Sequence, residues 1–358
     1  MDTHVGFPYD QVKISKNKRY PLPDGVIYGH FAHILAKMDG EKNMQEIIRE
    51  VEWETHEVFS ENTIKRYINA VMRLSDAGYL SAKVENPLDT DTIVNALQRL
   101  GVKEGDLLLV HSSNSQMGYI NGGADTIIDS IIHAVGPTGT FLMPVFTRPF
   151  VSFEGNLNKR SNYRPFRANG ADSIWTGMVP KTLLERSGVQ RSAHATHSWA
   201  GIGPLAVDCV SEHGLLEPPA SENSPMAKAL EHQGKVLFFG CDINCNTFLH
   251  YLEDQSNATF LENAIVKLRD ESGRLHTEVI KKHVPGHRDF YRSPAINSKF
   301  YQRALAAGLD IHKEKLGLGW LYLIDLQQLY DIGMQLFAED PNVTLCDDTN
   351  CLFCKRFN

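Results

Sequence analysis

Residues 107–110 are an unbroken apolar run that stops at His111 and gives way to a hydroxyl- and amide-rich stretch over 112–115. Gly122-Gly123 then opens residues 124–135, where apolar side chains recur at helical spacing. The pattern predicts a strand, a polar loop, a glycine pair and a helix. A helix N-terminus offers unpaired N–H groups and partial positive charge, so a phosphate-bearing ligand is expected there. Downstream, residues 140–144 and 235–240 read as buried strands, and 173–186 as a helix. The polar, aperiodic stretch 148–171 reads as a functional loop. Strands alternating with helices predict an α/β protein with a three-layer α/β/α core.

Residues 1–85 carry a different pattern. An apolar segment over 30–38 ends at Asp39-Gly40, a turn pair. Ile47, Ile48 and Val51 form one helical face, and Ile64, Ile68 and Val71 another behind Ser60. Gly78 sits where a helix ends, and Tyr79-Leu80 starts a strand. The set predicts a winged-helix-like helical module. On Ile34-Leu35, Met38-Asp39-Gly40, Glu46-Ile47-Ile48 and Gly78-Tyr79-Leu80 it resembles the PqqD-like fold, which implies a peptide or carrier partner. Packing or dimerisation is the competing role. Asn86-Pro87 marks a boundary, giving a module over 1–85, a catalytic domain over 86–340 and a cysteine-containing tail over 341–358.

Composition narrows the function classes. With 42% hydrophobic and 22% charged residues, the chain of 358 is ordinary for a globular protein. A net charge of −7, and 11 basic against 13 acidic residues in 1–85, argue against a nucleic-acid partner. No apolar run is long enough for a membrane span, and the N-terminal residues lack a secretory apolar core, so a cytoplasmic protein with reduced thiols is expected. The oligomeric state stays open, with a homodimer among the options.

His250 and Glu253 stand three apart, so on a helix the carboxylate lies beside the imidazole. A neighbouring carboxylate orients the ring, which suits a general base. Alone the spacing is weak. In order along the chain stand His111-Ser112-Ser113, Gly122-Gly123, Gly136-Pro137-Thr138-Gly139-Thr140, Met143-Pro144, Arg191-Ser192-x-His194, Gly203, Ser224-Pro225 and Asn246-Thr247-x-Leu249-His250-x-x-Glu253. This series resembles the aminoglycoside 3-N-acetyltransferase family, over roughly residues 92–287.

The resemblance implies acetyl-CoA as donor and direct transfer to the amine of a small-molecule acceptor, without an acyl-enzyme. It maps the base to His250, with Glu253 in support. Glu222 and His194 join the catalytic set. His111, Ser112, Ser113, Gly122 and Gly123 map to the coenzyme A site, with Thr247 a candidate donor to the reaction oxyanion. The family commonly has His-Pro where this chain has His194-Ala195. The run of Arg148, Arg160, Arg164 and Arg167, broken by Glu154, would repel a polycation. It predicts a neutral or anionic acceptor such as a nucleoside, an amino acid or a peptide.

No metal is assigned to the site. His194 and His197 are expected to make hydrogen bonds, and Cys241 and Cys245 to be inert thiols. Cys346, Cys351 and Cys354 form C-x4-C-x2-C, whose tight half fits zinc, yet a fourth ligand would have to come from elsewhere. Two alternatives stand beside resistance-type acetylation. One is a biosynthetic acyltransferase recruiting a peptide or natural-product intermediate through residues 1–85. The other is a non-catalytic binding protein.

Overall fold

The computed structural model describes residues 12–16, 29–84, 87–149, 166, 174–256, 258, 260–270, 272–284 and 288–356. The expected boundary at 85/86 and Arg160, Arg164 and Arg167 lie outside the described residues. The chain divides into two compact units. The first comprises residues 1–89, 114–123 and 317–319, and the second comprises the rest.

In the first unit, β1 (Val12–Lys16) lies between β2 (Asp39–Asn43) and β3 (Leu80–Val84), antiparallel to both. Three helices, α1 (His30–Ala36), α2 (Met44–Thr55) and α3 (Glu61–Asp76), appear where the periodicity placed them. Their ends follow local chemistry. Asn43 accepts from the Glu46 N–H at 2.9 Å while the Glu46 carboxylate accepts from the Asn43 N–H at 2.9 Å. Ser60 caps α3 by accepting from Thr63 N at 3.2 Å. Gly78, at φ +81°, closes α3, with Tyr79 N donating to Leu74 O at 2.9 Å. Val12, Ile14, Ile34, Met44, Ile47, Val51 and Val71 form this unit's own core. Asp39-Gly40, expected as a turn, instead begins β2. That strand, Asp-Gly-Glu-Lys-Asn, has no apolar alternation for a sequence reading to find, and backbone pairing to β1 forms it.

The second unit opens with α4 (Thr90–Leu100), β4 (Leu107–Ser112), α5 (Ala124–Val135) and β5 (Thr140–Pro144). Then come α6 (Met178–Leu183), β6 (Gln190–Arg191), β7 (Trp199–Ile202), α7 (Ala206–Ser211), α8 (Pro225–Glu231), β8 (Lys235–Phe239) and α9 (Phe248–Gln255). The hairpin β9 (Leu261–Arg269) and β10 (Leu275–His283) forms a separate two-stranded sheet. α10 (Lys299–Ala306), β11 (His312–Leu316), β12 (Gly319–Asp325) and α11 (Leu326–Glu339) complete the order. The helix expected over 173–186 is only α6, which Gly177 precedes at φ +113°.

The main sheet runs β11-β12-β8-β4-β5-β7-β6. Only β8, β4 and β5 are parallel, and antiparallel strands flank them, so the sheet is mixed. Leu107, Leu109, Leu142, Val236 and Phe238 share a cluster with residues of α8, α9, α10 and α11. By strand alternation Leu108, Val110, Phe141, Leu237 and Phe239 face the opposite side, where α5 packs on β5 and against α4. This is the three-layer α/β/α core. Among the described residues no helix is long and apolar enough to cross a membrane.

β4 sits between β8 and β5. The chain leaves β4 toward β5 and leaves β8 toward β12 on the other side. Their C-terminal ends therefore border a topological switch point, where open α/β sheets bind ligands. Residues 341–358, expected as a separate tail, belong to this unit, and Val343 and Leu345 are buried in it.

Gly203 makes a tight crossing after β7. At φ +125°, a Cβ there would lie 2.4 Å from Gly139 O and 2.6 Å from Thr140 Cα, both backbone atoms that cannot yield. Gly203→Ala is therefore expected to destabilise the chain, with about 1–3 kcal/mol from the strained backbone alone. Thermal unfolding of the variant beside wild type measures it, and an unchanged midpoint refutes the packing described.

Candidate active site

The site is assembled behind the ends of β4 and β8. After β8, Asn246 starts α9. Its Oδ1 accepts from Phe248 N at 3.2 Å and its Nδ2 donates to Tyr301 OH at 3.1 Å. The next residue, Thr247, brings its Oγ1 to 3.3 Å from Nε2 of His111, at the end of β4. One turn of α9 then carries His250 and Glu253 on the same face.

Glu253 is fully buried and gathers three partners. Its Oε2 is 2.7 Å from His250 Nδ1. Its Oε1 accepts from Arg288 Nε at 2.9 Å and from Thr344 Oγ1 at 2.8 Å. Burial alone would raise this carboxyl, but His250, Arg288 and Thr344 together hold it below the ordinary carboxylate value. Burial lowers the His250 imidazole, and Glu253 opposes only part of that shift. At neutral pH the pair is thus a carboxylate beside a neutral imidazole whose Nδ1–H points at Glu253. The proton-free Nε2 faces Tyr291 OH at 2.7 Å, and burial keeps that phenol protonated. The His250 side chain is 14% exposed, so solvent and small molecules reach its edge.

Further rings surround this pair. His283, at the end of β10, stacks on His250 with centroids 4.5 Å apart, and its Nε2 lies 3.3 Å from Asp254. His197 meets His283 edge-on at 6.2 Å. Arg288 lies over the faces of Phe260 and Phe353, at 4.1 and 4.8 Å.

Residues 109–338, more than half of the chain, match the family described as Aminoglycoside 3-N-acetyltransferase. The chain belongs to the aminoglycoside 3-N-acetyltransferase family. Among curated relatives, the aminoglycoside N(3)-acetyltransferase III of Salmonella sp is 36% identical over 169 residues, 45% of this chain. The chain spans 58% of that relative's length. Among solved structures, AAC-IIIb with CoASH superposes with a TM-score of 0.59 at 23% identity, over 71% of this chain and 97% of that one. A mutant of aminoglycoside acetyltransferase AAC(3)-IVa in complex with gentamicin gives 0.63 at 23% identity, over 76% and 97%. These two share the fold.

Several motif residues of this aminoglycoside 3-N-acetyltransferase family chain do structural work. His194 is fully buried, its Nδ1 accepting from Thr196 N at 3.1 Å and His197 N at 2.9 Å. Its Nε2–H then donates to Glu217 O at 2.8 Å, 23 residues on, so both ring nitrogens are engaged. Arg191 donates to Ser198 Oγ from Nε and Nη2, and Ser192 Oγ accepts from Trp199 N at 3.0 Å, holding β6 to β7. Glu222 is exposed, and among the described residues no hydrogen bond or ion pair joins it to His250.

His111 is buried, stacks on Phe238 at 5.5 Å, and is pushed down to about 4 by burial. Ser112 Oγ is buried without a hydrogen-bond partner among the described residues, and Ser113 N donates to Phe239 O at 2.8 Å. Gly122 and Gly123 belong to the first unit and lead into α5 with φ +81° and +61°. Cys241 and Cys245 have sulfurs 3.2 Å apart, and Cys241 is raised by that contact and by burial, so it is a thiol.

The site also contains Tyr291, Arg288, His283 and Thr344, none of which the sequence assigned a role, and His197, expected only to make hydrogen bonds. Arg288 and His283 stand in the sequence His-Val-Pro-Gly-His-Arg-Asp over 283–289, whose histidine density was the available signal. Thr344 gave no signal.

Buried neutral histidines set the response to acid. His111 and His194 are both lowered from 6.5 to about 4 by burial. Between those values the unfolded chain binds a proton at each ring that the folded chain does not. Stability present above pH 6.5 is therefore lost as pH falls toward 4, by up to about 1.4 kcal/mol per pH unit for each ring. His194→Gln retains a donor and an acceptor and should remove one ring's share of the slope. Denaturant titrations across this window test it, and an unchanged slope excludes His194 as a source.

Proposed function

We propose that the protein is an acetyl-CoA-dependent N-acetyltransferase that moves an acetyl group directly to an amine of an aminoglycoside-type acceptor, with His250 as general base. The observation that carries this is the line Glu253–His250–Tyr291. A fixed carboxylate orients a neutral imidazole of a partly exposed side chain, whose proton-free Nε2 faces the Tyr291 hydroxyl. A lowered pKa keeps the imidazole able to accept a proton at pH 7.

The amine nitrogen attacks the thioester carbonyl carbon and its proton passes to His250 Nε2. The carbon–sulfur bond breaks, the acetyl group is left on nitrogen, and the proton returns to the leaving thiolate. Tyr291 marks where a polar hydrogen meets Nε2, the position an acceptor N–H would take. Charge on His250 during transfer is stabilised by Glu253 at 2.7 Å. His111, Ser112, Ser113 and Thr247, at the C-terminal ends of the parallel strands, are the proposed coenzyme A contacts of the second unit. The unpartnered Ser112 Oγ is a ready hydrogen-bond group there.

The acceptor class rests on the relatives, whose names specify aminoglycosides, and on a net charge of −7 that attracts cations. It replaces the neutral or anionic acceptor expected from the arginine run. Of those arginines only Arg148 is described, and it lies over the Trp175 ring at 4.0 Å. A second reading, in which a peptide or carrier is recruited by the first unit, is favoured by one observation. Trp53 and Val58 of that unit are 81% and 92% exposed.

His250→Ala should lower kcat by roughly 10²–10⁴ while coenzyme A still raises the melting temperature. Release of free coenzyme A, assayed with aminoglycosides, nucleosides and peptides side by side, measures both rate and acceptor. Wild-type turnover in the variant would remove His250 as the base.

A further inference from the structure

We propose that Cys346, Cys351 and Cys354 form a thiolate site for a zinc(II) ion that clamps the two outer partners of Glu253. The three sulfurs lie within 4.8 Å of one another, with Cys346 and Cys354 at 3.5 Å. Sulfurs bound to one tetrahedral zinc at about 2.3 Å stand roughly 3.8 Å apart, so this triangle needs little adjustment. A disulfide would require about 2.05 Å, and among the described residues none of the three forms one.

Donors are already aimed at the sulfurs. The amides of Phe353 and Cys354 point to the Cys351 sulfur, and the Cys346 amide to that of Cys354. N–H groups converging on sulfur would stabilise the charge the sulfurs take on when a metal displaces their protons. Simple apolar packing would not gather them. Cys209 packs as a lone thiol in the main core, far along the chain from any other cysteine of the trio.

Buried Val343, Thr344 and Leu345 anchor the start of this segment, but no regular backbone ladder runs through it. Residues 340–353 contain no helix or strand, and the local cluster is small: Phe260, Leu345, Cys346 and Cys354. A metal crosslink there supplies order that a hydrogen-bond ladder would supply elsewhere. No fourth His, Cys, Asp or Glu joins the group among the described residues, so solvent takes the fourth position. Binding releases the thiol protons.

The position in the fold gives the site a role. Thr344, two residues before Cys346, donates to Glu253. Phe353, between Cys351 and Cys354, lies under the Arg288 guanidinium that also donates to Glu253. The ion would thus pin both donors without touching the reaction.

The full chain, stripped with chelator under reducing conditions, is titrated with zinc(II) and separately with cobalt(II). About one ion per chain is expected, with cobalt giving thiolate charge-transfer bands, and Cys351→Ser should retain less than about a tenth of the bound metal. Zinc should also protect the three thiols from alkylation. Absence of stoichiometric uptake by the wild-type chain overturns the proposal, as does wild-type binding in a folded Cys351→Ser. If that variant does not fold, the wild-type titration and the alkylation pattern decide. None of these readouts depends on acetyl transfer.

Discussion

A fully buried carboxylate organises the larger unit of this chain. Removing an ionised carboxylate from water costs several kcal/mol, and the cost is offset only when its lone pairs are filled by well-aimed donors. Glu253 meets that condition with an imidazole N–H, a guanidinium and a hydroxyl. The guanidinium is 35 residues away along the chain and the hydroxyl 91. Three segments must therefore be in place before the imidazole is oriented, so the geometry of His250 reports the completed fold of its unit.

The surrounding architecture explains why His250 can be so placed. Parallel β4 and β8 end side by side, and the polar groups that follow them meet there. Asn246 spends its amide on starting α9 and on Tyr301, which frees Thr247 to face His111. Rings fill the remaining space. His283 against His250 and His197 against His283 exclude water from one flank, and this desolvation is what depresses His250.

Family membership and chemistry come from different observations. The match over residues 109–338 establishes the family, and the solved relatives share the fold. The first unit has its own core, capped helices and three-stranded sheet, and most of it lies outside the matched residues. The segment after residue 340 also lies outside them, yet it supplies a partner to Glu253. What is particular to this chain therefore flanks the family core on both sides.

How much was legible in the sequence depends on whether the cause is local. Helices with regular apolar faces and capping residues, such as those behind Asn43 and Ser60, were readable because their hydrogen bonds close within four residues. The buried runs of β4, β5 and β8 were readable because strands covered on both faces are apolar throughout. His250 and Glu253 were readable as a pair because one helical turn joins them. By contrast β2 is polar and exists only through its pairing with β1. The roles of His194 and Glu222 depended on what surrounds them: one ring is saturated by its own loop together with the distant Glu217 carbonyl, and one carboxylate is left in solvent. Arg288, Tyr291 and Thr344 became site residues only when chain segments far apart in sequence met around Glu253. The sequence alone determined the capped helices of the first unit, the buried core strands β4, β5 and β8, and the His-x-x-Glu dyad. The tertiary structure decided the dyad's protonation, because burial and three long-range partners set it and neither is encoded within one turn of helix.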